Sequence, residues 1–186
     1  MEHPVYLKFL GLINHENAGK IVATIEAKLR EGRRDFYLAM KSPGGEAFAG
    51  QWLYGRLREL PITLTTHNRK HVGSAAMDLY LAGERRLAEP GATFLIHQAQ
   101  FSPEERARCA AEANAFPALL SIHNAFTTQL LLDRTQMTRG QIEAVIANEN
   151  ETTAEEAVEM GIAHETVEIR FPTDAELIEL MFPWGE

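Results

Sequence analysis

Apolar and polar positions alternate loosely through VYLKFLGLI at 5–13, the period of a strand with one buried face. The following ENAGKIVATIEAKLREG places Ala18, Ile21, Val22, Ile25 and Leu29 three and four residues apart. That spacing predicts an amphipathic helix stopped by Gly32. In DFYLAMK the period returns to two, with Phe36, Leu38 and Met40 on one face, so a second strand ends near Lys41. SPGG at 42–45 reads as a turn, and a second helix runs from Ala47 to Leu60, ended by Pro61. ITLTTHN is rich in β-branched residues and predicts a third strand. KHVGSAAMDLYLAG opens a helix near Ser74, and ERRLAEPGATFLIHQAQ predicts a turn at Pro90-Gly91 and a strand ending at His97.

The pattern changes from Ser102. SPEE supplies a serine cap, a proline at the first helical position and Glu105 three residues after the serine, so a helix is expected there. Pro117 falls inside the pattern and predicts a kink or a break. Beyond it, Leu119, Leu120, Phe126, Leu130 and Leu131 require a partner surface. In TTAEEAVEMG, Thr153 and Glu156 form a capping box, with Gly161 as the stop. IAHETVEI predicts a short strand, and the tail TDAELIELMFPWGE a short amphipathic helix. Strands alternating with helices imply an α/β fold with a largely parallel sheet, and 186 residues suit a single domain spanning 1–186.

Composition narrows the partners. A net charge of -8 repels nucleic acid, and the basic runs REGRRDF and GERRL read as solvated surface. No apolar run approaches the roughly 18 residues of a membrane span, so no membrane partner is expected. MEHPVYLKFLGL lacks the basic start and long apolar core of a signal peptide, which makes the chain cytoplasmic by expectation. The single Cys109 forms no internal disulfide and offers no metal cluster.

Four places carry candidate chemistry. Ser74, between a glycine and two alanines, is either a helix N-cap or a nucleophile with small neighbours that admit a substrate. As a nucleophile it gains from unpaired backbone N–H groups at the helix start, and the Ala75 N–H is placed to donate to an oxyanion. In SPGG a type II turn requires only Gly44, so Gly45 is free to bring its N–H close to a ligand. His97, at the end of an apolar strand, is a core histidine or a general base. Glu149 and Glu151, before a capped helix, are a solvated acidic loop or the carboxylate that orients an imidazole.

Taken in order, LAMKSPGGEAFAGQWLY, GSAAMDLYLAG, FLIHQA and TTAEEAVEMGIAHETV resemble the Clp protease proteolytic subunit family, ClpP, from about Phe9 to about Ile169. The resemblance implies a ClpP/crotonase-like α/β fold of repeated ββα units. A protruding handle helix, at about 100–136 here, joins rings of seven into a chamber. It implies a serine peptidase acting on peptides or unfolded proteins without metal or organic cofactor. Ser74 would be nucleophile and His97 base, with Gly45 and Ala75 lining the oxyanion hole. The family's third member is an aspartate, and ungapped counting puts Glu149 at its place, with Glu151 as the alternative. Two departures stand out. AQFSPEERARC replaces the glycine-rich strand that pairs with substrate, and the axial segment before Phe9 is absent, so docking of a Clp-type ATPase is expected to differ. Other readings are an inactive structural ring subunit, a crotonase-type acyl-CoA enzyme, and a Ser-Lys peptidase using Lys70.

Overall fold

The computed structural model describes residues 3–100, 116–182 and 184. Strands β1 (Val5–Leu10), β2 (Asp35–Ser42) and β3 (Thr63–Gly73) lie side by side and parallel, with β2 in the middle. Helices α1 (His15–Arg30) and α2 (Ala47–Glu59) provide the crossovers that parallel pairing demands. The Asn14 side chain caps α1 by accepting from the Asn17 N–H at 2.8 Å. The helix then buries Ala18, Ile21, Val22 and Ile25, four of the five positions picked out by the period. They share one core with Val5, Leu7 and Phe9 of β1, Leu38 and Met40 of β2, and Leu53 of α2.

Strand β3 is longer than its β-branched segment and serves two partners in turn. Thr65 to Asn68 pair with β4 (Arg85–Ala88), and His71 to Gly73 pair with β5 (Thr93–Leu95). Strand β6 (Glu151–Thr153) runs antiparallel to β5, and β7 (Glu165–Thr166) covers β4. Helix α3 (Ala76–Leu81) leaves the end of β3 with all six residues buried. Helices α4 (Phe116–Arg134), α5 (Arg139–Asn148) and α6 (Ala154–Glu159) complete the described elements. The capping box on α6 forms as expected from Thr153 and Glu156. Leu130 and Leu131 of α4 enter the core, and Phe126 meets Tyr54 of α2 edge-on, so much of the apolar segment finds its partner within the chain.

Three expectations need correction. The tail is a strand: β8 (Leu177–Met181) joins the open edge of β1 in parallel. Its apolar residues fit either period. The unpaired backbone of β1 decides the outcome by offering bonds at both ends, Tyr6 N–H to the Glu176 carbonyl and Phe182 N–H to the Leu10 carbonyl. Lys8 and Glu179 add an ion pair across this edge at 2.7 Å. The strand before His97 ends at Leu95, because β6 pairs with only three residues of it. GERRL is not all solvated. Arg86 is 4% exposed and donates to the carbonyls of Ile162 (2.8 Å), Gly161 (3.0 Å) and Arg134 (2.7 Å). The helix expected from Ser102 lies outside the described residues, and Pro117 stands in the first described turn of α4.

Two buried groups generate stability predictions. Arg86 is the shared donor for the ends of α4 and α6, so Arg86→Met strands buried carbonyls and should cost about 3 kcal/mol or more in chemical denaturation. An unchanged midpoint would contradict this. His67 of β3 is fully buried against Tyr37, whose hydroxyl meets its Nδ1. Burial, reinforced by Arg69 and Arg85, pushes the His67 imidazole down to about 4 from 6.5. The unfolded chain therefore takes up this proton first, and stability should fall as pH drops from about 6.5 towards 4. Melting curves across that range should show a shallower slope for His67→Gln than for the wild type.

Candidate functional site

The end of β3 makes an abrupt turn at Ser74. The Ser74 N–H donates to the Leu95 carbonyl at 2.8 Å, and its own carbonyl accepts from the Met77 N–H at 2.9 Å. Between these two bonds the backbone is left-handed, with φ of 53°. A residue with a Cβ pays about 1–2 kcal/mol for that conformation. The N-cap position of α3 falls on Ala75, so capping does not account for the serine. The half-buried Ser74 instead lines a cavity of about 140 Å³ with Gly45, His97, Asp78 and His123.

The second glycine of SPGG has a steric origin. Ile13 bridges Gly45 in parallel fashion, its N–H bonding the Gly44 carbonyl (2.8 Å) and its carbonyl taking the Glu46 N–H (2.7 Å). In such a bridge the N–H of the central residue turns away from the partner, which for Gly45 is away from Ile13. A Cβ on Gly45 would overlap the Ile13 carbonyl oxygen, and its φ is 148°. A Cβ on Gly44 would come within 2.5 Å of the Ser74 Cβ. The turn and the strained serine are thus packed directly on each other.

His97 follows β5 by two residues and is half-buried. The segment behind it is tied to α4 by the Ala99 N–H, which donates to Asn124 Oδ1 at 3.0 Å. Ser74, Gly45 and His97 therefore meet at one cavity, whereas Ala75, the next residue after Ser74, is buried and is not among the residues that line it. The two glutamates stand elsewhere. Glu149 is exposed at the left-handed C-cap of α5, with φ of 49°. Glu151 sits on β6 opposite Leu95, with Oε1 3.3 Å from Nδ1 of His71. Neither is among the described residues that line the cavity.

A carboxyl that does line it was missed. Asp78 is the fourth residue after Ser74, one helical turn on, and burial pushes its carboxyl up to about 8. Its signal in the sequence is one acid inside the apolar run AAMDLYLA. His123 reaches in from α4, and burial holds its imidazole below the ordinary value. Such a set brings a hydroxyl, an imidazole and the glycine backbone of Gly45 around one space, ingredients of acyl transfer. Among the described residues no group of three or more His, Cys, Asp or Glu is arranged to hold a metal.

A sequence profile of the Clp protease family matches residues 6–170. The chain belongs to the Clp protease family. The ATP-dependent Clp protease proteolytic subunit 1 of Leifsonia xyli subsp. xyli is 33% identical over 89 residues, 46% of this chain. That stretch spans only 45% of the relative's length. A solved structure, an asparagine-to-aspartate mutant of ClpP1 from Listeria monocytogenes, superposes with a TM-score of 0.73. It covers 89% of this chain and 92% of the other at 21% identity, and so establishes the ClpP/crotonase-like fold. No helix among the described residues is long and apolar enough to cross a membrane.

The strain at Ser74 makes a prediction of its own. Ser74→Gly removes the Cβ that the left-handed backbone disfavours, so it should raise stability by about 1 kcal/mol in denaturant melts. A destabilised Ser74→Gly would contradict the strained conformation.

Proposed function

We propose that this protein is a cytoplasmic Clp-type serine peptidase that assembles into rings of seven, single or stacked, and cleaves peptides or unfolded proteins. The observation that carries this reading is the left-handed Ser74 at a cavity shared with His97 and Gly45. In the proposed mechanism His97 takes the Ser74 hydroxyl proton as the oxygen attacks the peptide carbonyl. The Gly45 and Ala75 N–H groups hold the resulting oxyanion. Collapse of the tetrahedral intermediate expels the amine, which leaves with the proton from His97. Water, activated by the same imidazole, then hydrolyses the acyl-enzyme. By the family resemblance Glu149, or Glu151 as the alternative, would orient the imidazole. A Clp-type ATPase would feed larger substrates.

A second reading is an inactive ring subunit. It is favoured by the position of Glu149 and Glu151 off the cavity, with Glu151 facing His71. Hydrolysis of an unfolded protein substrate and light scattering separate the two. The peptidase reading expects activity in a ring-sized particle, lowered on the order of 10⁴-fold or more in Ser74→Ala and His97→Ala with the particle intact. A ring without activity favours the scaffold, and a monomer at micromolar concentration contradicts ring assembly in both.

A further inference from the structure

Away from the Ser74 cavity, Lys8 of β1, Lys41 of β2, and Arg69 and Lys70 of β3 line a pocket of about 360 Å³, with Leu10 and Met181 in its wall. A break in register gathers these cations. Met40 pairs with Asn68 and Ser42 with Val72, so Arg69, Lys70 and His71 share the space opposite Lys41. A bulge of this kind re-aims side chains and is a built feature of a strand. The fully buried Asn68 holds it in place. Its Oδ1 accepts the Lys70 N–H at 3.1 Å, and its Nδ2 donates to the Thr93 carbonyl at 2.8 Å. Elsewhere Lys28, Arg56, Arg58 and Arg85 each meet a glutamate. In the pocket Lys8 meets Glu179, but among the described residues no carboxylate pairs with Arg69 or Lys70.

Cations held close together repel one another, and a chain of net charge -8 has acids to spare for pairing them. The fold leaves this group to an anion from outside. Neighbouring strands lie about 4.8 Å apart, so the stems of Lys8 and Arg69, two strands apart, start roughly 10 Å from each other. A single phosphate or carboxylate is too small to meet both ends, and a row of linked phosphates is long enough. The volume is that of a small-molecule site. We propose that this pocket binds a small molecule carrying two or three linked phosphates. Their oxygens accept from the ammonium groups of Lys41 and Lys70 and from the terminal guanidinium nitrogens of Arg69, whose Nε is buried. Lys8 closes the far end, and Leu10 and Met181 offer an apolar wall to the rest of the molecule. Binding here does not depend on the peptidase reading.

The test is isothermal titration with tripolyphosphate, ADP and inorganic phosphate at constant ionic strength. Tripolyphosphate or ADP should fill one site per chain, with inorganic phosphate weaker by about tenfold or more. Tighter binding of ADP supports the proposal and places a nucleoside against Leu10 and Met181, and tighter binding of tripolyphosphate supports it with the phosphate row alone as ligand. Arg69→Gln/Lys70→Gln should weaken binding about tenfold or more. Arg30→Gln/Arg34→Gln removes the same charge away from the pocket and should leave binding unchanged. Thermal melts check that the variants fold, and Lys41→Gln carries the test if the first pair does not. No binding of tripolyphosphate or ADP, inorganic phosphate bound as tightly as either, or equal losses in the two double variants overturns the proposal. So does a glutamate-rich peptide that binds as tightly as tripolyphosphate.

Discussion

The left-handed backbone at Ser74 depends on a clamp of two hydrogen bonds, one from its N–H to the Leu95 carbonyl and one from Met77 back to its own carbonyl. The rest of the site follows from it. Because β3 ends on the Leu95 bond, β5 must lie alongside, and the chain leaving β5 carries His97 to the same cavity. Because the serine Cβ is pushed outwards, the residue facing it at position 44 must be glycine. The next residue, Gly45, is held by Ile13 in a bridge that leaves no room for a side chain. A strain of about 1–2 kcal/mol is small against the packing of β2, β3 and α3 that imposes it. Strain retained at a cavity by well-packed surroundings is what a presented nucleophile requires.

Buried polar groups divide into two kinds in this fold. Arg86 is surrounded by carbonyls and joins the ends of α4 and α6 to β4, so its burial is offset by hydrogen bonds. Asp78 and His123 have no such compensation: Asp78 Oδ2 packs against Gly50 of α2 and His123 Nδ1 has no hydrogen-bond partner, although both residues line the cavity. Satisfied groups of the first kind hold the scaffold.

Much of the scaffold was legible because its periods are clean. Ile21, Val22 and Ile25 declare a helix, and Phe36, Leu38 and Met40 declare a strand, and both are buried as the spacing implies. The tail was misread because LIELM satisfies either period, and only the open edge of β1 selects a strand. Helix α5 went unnoticed although Thr138 and Gln141 spell a capping box, since no strong apolar stripe follows them. Ser74, His97 and Gly45 were legible through their order along the chain and meet at one cavity. Asp78 was not, because one acid inside an apolar run reads as part of a buried helix, and only the fold brings that residue to the cavity wall. Glu149 came from counting alone, and its left-handed, exposed position reflects the end of α5.

The most direct test of the central claim is peptide mapping by mass spectrometry after reaction with a fluorophosphonate. An activated serine held in the clamp predicts a covalent adduct on Ser74, absent in His97→Ala although that variant is folded. An adduct on another serine, or none on a folded and assembled protein, would contradict it.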